Sequence, residues 1–402
     1  MKTLMPMIAS LLPLVASLVM MVGAGRARGG NPPTTPPRPE VEPVELPADP
    51  AIRCPLDRGD APLKKEGQIA SLAYSPDGRT LAAGNASLFV KLFDPHTGRS
   101  ITSFEPGGGS AAIAFSPDGM ALAAQAGVGV MAIFDPASGG VFRKMDPTAG
   151  AGVSGLGCSA FSPDGKILAA GFVNGEVALW DAATGRLLHV LPPHVILPRR
   201  TAGPPEHYPL KEVVGVVGFL AFSPDGSTLY GGGHVARAWD VTSGSERARP
   251  EQAANAAIYA IAVSPDGKTL AGGERYQQMP WPAAGPFDPR DRVESITLWD
   301  AATGRKRAQL PTTEPITGLA FLPGGKTLVT LEGGRVVRLW DIDSGHSTAA
   351  VRFEHHFRCP VLAVSPDGKQ IAAGGYESDP IFGAIVLMQT DGVKLSPWKP
   401  KP

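Results

Sequence analysis

The chain has 402 residues, with 37 Lys plus Arg against 37 Asp plus Glu, so its formal net charge is zero. That balance argues against a nucleic-acid partner, because tight binding to phosphates leaves a basic footprint. With 43% hydrophobic and 18% charged residues, plus 49 Gly and 41 Pro, the composition predicts a folded, turn-rich chain with few long helices and excludes disorder throughout.

The first predicted element is an export signal over residues 1–24. Lys2 precedes a nearly unbroken apolar run from Leu4 to Val22, followed by small residues and then by Arg26 and Arg28. Cleavage after Ala24 or after Ala27 fits the preference for small residues at the cut. The alternative is an uncleaved anchor, since about 19 apolar residues just span a bilayer. The expected localisation is therefore periplasmic or secreted, with membrane attachment only if the segment stays uncleaved. Residues 25–50 follow as a Pro-rich tether: eight prolines fall between Asn31 and Pro50, a composition that favours extended chain and builds no core.

Residues 51–402 are organised by repeats. A string of Ala, a large apolar residue, Ser-Pro-Asp-Gly, two residues and Leu recurs with Ser75, Ser116, Ser162, Ser223, Ser264 and Ser365, and in degenerate form at Leu322-Pro323-Gly324-Gly325. A second signal follows in six of the seven units: an aromatic, Asp, and Gly four residues later, from Asp94 with Gly98 to Asp341 with Gly345. In the seventh unit it degrades to Leu387-Met388-Gln389. The spacing fits a four-stranded propeller blade. Seven units are expected, starting near residues 68, 110, 155, 215, 257, 315 and 358.

Each unit reads as four short strands. The innermost, such as Ile69 to Tyr74, carries small residues where the centre is crowded. Ser-Pro-Asp-Gly forms the first turn, with Pro fixing φ, Asp bonding the backbone and Gly taking φ > 0. Asn174-Gly175, Gly232-Gly233 and Gly333-Gly334 supply hairpin chemistry for the next turn. The third strand ends in the aromatic-Asp pair, where Trp180, Trp239, Trp299 and Trp340 are expected to pack between blades.

These residues resemble the WD-repeat β-propeller family, with Leu-Trp-Asp at 179–181, 298–300 and 339–341 and Ala238-Trp239-Asp240; the Ala-Phe-Ser-Pro-Asp-Gly and Thr-Gly-Arg strings resemble its bacterial, exported members. The resemblance covers about residues 68 to 398 and implies an all-β, seven-bladed β-propeller of four-stranded antiparallel blades. The Gly-His pair and the buried Asp-His-Ser-Trp network typical of many members are not part of the repeat here. The resemblance also implies that Ala51 to Leu56 could complete blade seven, whose own outer strand over Val393 to Trp398 is short. Cys54 would then approach blade seven, where a Cys54–Cys359 disulfide stands as one alternative to free thiols. Cys158 is expected to be packing.

Both long insertions, Leu191 to Lys211 and Glu274 to Glu294, fall on the face opposite the Ser-Pro-Asp-Gly turns, joined by a smaller one at Tyr376 to Gly383. They carry Arg199, Arg200, His207, Tyr208, Arg275, Tyr276, Trp281, Phe287, Arg290 and Arg292, the residue types that anchor interfaces. Trp281 has no repeat role. A monomeric, non-enzymatic scaffold that binds a protein partner through this face is expected, with no metal, cofactor or catalytic residue. The alternatives are a hydrolase- or lactonase-like enzyme or a small-ligand binder at the channel mouth. His194, His207, His355 and His356 match no metal-ligand spacing, and no Gly-x-Ser-x-Gly elbow occurs.

Overall fold

The computed structural model describes residues 41–45, 52–54, 68–85, 89–108, 112–145, 155–191, 195–196, 213–214, 216–233, 235–247, 249–252, 256–276, 294–353, 357–378 and 381–397. The chain divides into two compact units, Met1–Pro36 and Pro37–Pro402. The first, with the apolar run read as a signal, lies outside the described residues. The second is an all-β propeller of seven antiparallel blades.

Blade one shows the pattern. Ile69–Tyr74, Leu81–Asn85, Val90–Phe93 and Ser100–Phe104 pair in chain order from the innermost strand outward. The turn between the first two strands forms for the reason its residues suggest. Ser75 Oγ donates to Asp77 Oδ1 (2.6 Å) and accepts from the Thr80 N–H (2.9 Å), while Gly78 sits at φ 70°. The Ser75 hydroxyl also holds the Asp77 carboxyl below the usual range. After the third strand, Gly98 N–H returns to the Asp94 carbonyl (2.8 Å) and Thr97 Oγ1 donates to Asp94 Oδ2 (2.9 Å). Both turns therefore close on side chains that the repeat supplies, which is why the string recurs.

Apolar side chains form seven clusters, and each joins two successive blades. Side chains alternate along a strand, so Leu92 packs toward blade two and Phe93 toward blade seven. The aromatic of each third strand faces the preceding blade. Trp180 packs on blade two, Trp239 on blade three, Trp299 on blade four and Trp340 on blade five. Stability therefore resides at the junctions between sheets.

The ring closes between blades seven and one, where Ile69, Leu81 and Phe93 meet Ala372, Ile385 and Leu387. A second closed circle runs through the Ser-Pro-Asp-Gly turns. A β-carbon on Gly119 would lie 3.3 Å from Pro76 of the preceding blade, one on Gly165 3.4 Å from Pro117, and so on round to Gly78 at 3.6 Å from Pro366. Glycine lets each turn seat against its neighbour's proline ring.

Three blades depart from the regular four strands among the described residues. In blade four, Phe219–Phe222, Thr228–Gly232 and Arg237–Asp240 are strands, while the outermost position is reduced to the bridge Trp239↔Glu246. The link that follows crosses to blade five, where the Glu251 carbonyl accepts from Trp299 Nε1 at 2.5 Å. In blade seven, Ile52–Cys54 pairs antiparallel with Ile381–Thr390 at Gly383 to Ile385, and Leu395–Pro397 pairs with the same strand at Met388 to Thr390. The two short segments share the outer edge, so the N-terminal strand does complete the last blade. Trp398 lies outside the described residues. Part of the stretch read as tether also joins the ring, because Val44–Glu45 adds to blade six.

This register excludes the Cys54–Cys359 disulfide. Cys54 lies opposite Gly383 on the outer edge, and Cys359 lies on the innermost strand Phe357–Val364, three strand spacings away. At ~4.8 Å per spacing that separation is about 14 Å, beyond bonding reach. Cys359 is a free, buried thiol. Cys158 is half-buried as a residue, but its sulfur faces inward, 3.5 Å from the Val217 carbonyl oxygen. Burial pushes both thiols up to about 12. Alkylation by iodoacetamide at pH 8, read by peptide mapping, should therefore spare Cys158 and Cys359 until the protein is unfolded in urea. Labelling of either in the folded protein would contradict the packing described.

Candidate interaction face

Antiparallel strands put the links between blades and the turns between second and third strands at one end, and the Ser-Pro-Asp-Gly turns at the other. The first long insertion leaves blade three after Leu187–Leu191 and reaches blade four at Phe219–Phe222. Within it, Val195–Ile196 pairs with Val213–Val214. Arg199, Arg200, His207 and Tyr208 fall between these strands in sequence and lie outside the described residues. So do Trp281, Phe287, Arg290 and Arg292 of the second insertion, and His194, His355 and His356.

For the rest of the second insertion the sequence boundary moves. Glu274, Arg275 and Tyr276 are the last three residues of Thr269–Tyr276, paired with Ile258, Ala257 and Ala256. Arg275 and Tyr276 are thus strand positions at the root of the insertion. Tyr376 to Gly383 is likewise no loop. Gln370–Ser378 and Ile381–Thr390 stay paired to Ser378↔Ile381, so blade seven extends as a hairpin. The inner strand Phe357–Val364 runs out alongside it, with Phe357↔Glu377.

At this end of the ring, buried polar side chains sit at the close of several second strands. Asn85 Oδ1 accepts from the Phe89 N–H (3.0 Å), tying its hairpin. Glu274 is 4% exposed and accepts from Thr297 Oγ1 at 2.8 Å. Burial pushes its carboxyl up, and the Thr297 hydroxyl pulls in the opposite direction. Glu332 occupies the same repeat position in blade six and is paired with Arg338, Nε to Oε1 at 3.0 Å, with both side chains buried. Burial raises the Glu332 carboxyl, opposed first by the Arg338 charge. Thr330 Oγ1 also donates to Glu332 Oε1 (3.1 Å) and accepts from Trp340 Nε1 (3.1 Å). Glu332, Arg338, Thr330 and Trp340 thus form one buried polar network within blade six.

Sequence reasoning passed over this set. The available signal was charge within an apolar strand: Val-Val-Arg-Leu-Trp at 336–340 and Arg-Ala-Trp at 237–239. Each arginine lies over its tryptophan, 5.7 Å from the ring of Trp340 and 6.0 Å from that of Trp239. Residues two apart share a strand face, which brings the guanidinium and ring together. Among the described residues, no three His, Cys, Asp or Glu side chains converge as a metal ion would require.

Comparison with known proteins agrees with the repeat architecture. A family model described as WD domain, G-beta repeat, matches residues 62–94 and 149–181. WD repeat-containing protein 1 of Bos taurus is 35% identical over 63 residues, 16% of this chain and 10% of that protein. WD repeat-containing protein 1 of Rattus norvegicus is 32% identical over 96 residues, 24% of this chain and 15% of its own length. An uncharacterized WD repeat-containing protein of Schizosaccharomyces pombe is 28% identical over 85 residues, 21% of each chain. The matched segments thus span between a tenth and about a fifth of these relatives. Together with the seven-bladed ring, the matches support a WD-repeat propeller.

Proposed function

We propose that this protein is an exported propeller that works as a rigid, monomeric, non-enzymatic scaffold, recognising a protein partner through the face that carries the insertions. The observation that supports the reading is where the chain departs from the repeat. The Ser-Pro-Asp-Gly turns are nearly uniform in length and seat against one another round the ring, whereas the two long insertions follow Leu187–Leu191 and Thr269–Tyr276, whose last residues lie at the opposite end. A scaffold fixes stability at the blade junctions and leaves loops free to carry recognition. Arg199, Arg200, His207, Tyr208, Trp281, Phe287, Arg290 and Arg292 give those segments the chemistry of an interface core. Balanced charge favours a protein partner over nucleic acid. Export rests on the apolar run from Leu4 to Val22.

The test replaces residues 278–292 by a short Gly-Ser linker. This leaves Glu274, Tyr276 and the Glu294 carbonyl, which accepts from the Thr312 N–H (3.1 Å), in place. Affinity capture from the native host should lose a specific protein partner that the wild type retains. Trp281→Ala should lose the same partner with an unchanged thermal midpoint. An unchanged partner set overturns the reading, and a large fall in midpoint for Trp281→Ala would make that residue a cover for the ring.

A further inference from the structure

Blade six is unusual in two places at once. At its rim, Val44–Glu45 lies parallel to the outer strand Ser347–Arg352, with Val44 opposite Val351 and Glu45 opposite Arg352. In its interior, the positions of Glu332 and Arg338 hold a carboxylate and a guanidinium together, whereas the same positions hold Phe172 with Ala178 in blade three and Glu274 with Thr297 in blade five.

One contact links the two features. Arg338 reaches past the outer strand, and its Nη1 donates to the Val41 carbonyl at 2.6 Å. The Val41 N–H in turn donates to Ser347 Oγ at 3.3 Å. A buried ion pair is a poor way to stabilise a sheet, since apolar residues of similar volume do as well or better. Its presence in blade six therefore calls for a use, and the use in view is to present a fixed donor to a backbone carbonyl at the rim.

Within the segment so held, Val41 and Pro43 are half-buried. Val44 is 66% exposed, and Glu42 is exposed beside it. The hydrogen bonds that hold it use its main-chain atoms: the Val41 N–H, the Val41 carbonyl and two residues of parallel pairing. Parallel pairs are the weaker kind. Pro43 fixes one φ of the segment beforehand, which lowers the entropy lost on docking. A second attachment follows at Ile52–Cys54 on blade seven. The chain is thus held at the rim of blade six through Val44–Glu45 and at the rim of blade seven through Ile52–Cys54.

We propose that residues 41–45 form a detachable strap over the outer edge of blade six and that the Glu332–Arg338 pair is its catch. An open edge is a template for strand addition. The strap keeps that template covered while the catch holds. The site is separate from the insertion face and does not depend on the function proposed for it.

Hydrogen–deuterium exchange on the full chain tests the proposal. In the double variant E332M/R338M, which removes both charges and leaves no lone buried ion, peptides covering 41–45 and the outer strand 347–352 should exchange at least ten-fold faster. Peptides from blade three should keep wild-type protection. Ser347→Ala, which removes only the acceptor for Val41, should give a smaller rise in the same two peptides. Wild-type protection of 41–45 in either variant overturns the proposal. Equal loss of protection in blade three also overturns it, because the pair would then be part of the core and not a catch.

Discussion

Replacing Trp299 by alanine is expected to lower the stability of the propeller by about 3–5 kcal/mol, the range for truncating a large buried aromatic. Trp299 is fully buried and packs on Tyr230, Ala236 and Ala238 of the preceding blade. Its Nε1 also donates to the Glu251 carbonyl in the link from blade four. Trp299→Phe removes that bond with less volume and should cost less. The ring has a partner that makes the claim sharper. A β-carbon on Gly272, in the neighbouring strand, would lie 2.6 Å from the Trp299 ring. Gly272→Ala should therefore cost roughly 1–3 kcal/mol through overpacking, and much less in the Trp299→Ala background, where the ring is gone. Urea midpoints of the four proteins in this cycle give the coupling. Additive losses would show that the glycine and the tryptophan do not share one space.

The second large effect is expected at Gly304, in the turn after Trp299-Asp300. Gly304 has φ 71°, its N–H bonds the Asp300 carbonyl (2.8 Å), and its carbonyl accepts from the Glu251 N–H (2.8 Å). A β-carbon there would stand 2.7 Å from the backbone oxygen of Arg249 and 3.0 Å from its carbonyl carbon. Gly345 holds the same repeat position at φ 74°, yet a β-carbon on it would meet only a Leu310 methyl at 3.5 Å. Gly345→Ala should lose about 1–2 kcal/mol, the cost of the left-handed backbone alone. Gly304→Ala should lose that and a further ~1–3 kcal/mol for the collision with backbone that cannot swing aside. Thermal or urea unfolding of the two variants side by side measures the difference. Equal losses would mean that the link from blade four yields at little cost.

Much of this fold is legible in the chain because each turn is closed by its own residues. Ser75, Asp77 and Gly78 meet within four positions, and Asp94, Thr97 and Gly98 within five. Six copies of one turn string plus a degenerate one fix the number of blades, and the third-strand aromatics fix which side chains lie between them. The interface candidates are legible only as composition. Their two insertions interrupt the repeat, and Arg275 and Tyr276 show how a strand continues beyond the point where the pattern stops.

By itself, then, the sequence determined the ring: its class, its seven units, their turns and the inward tryptophans, since these depend on contacts between near neighbours repeated along the chain. The family resemblance implies that an N-terminal strand completes blade seven, and Ile52–Cys54 does so beside Leu395–Pro397. Tertiary structure alone decided how the other edges are used: it placed Val44–Glu45 on blade six and, among the described residues, reduced the outer position of blade four to a single bridge. Strands of two or three residues carry no periodicity, and every bare edge offers them the same N–H and C=O groups. Which edge wins depends on side chains hundreds of positions away, as when Arg338 meets the Val41 carbonyl.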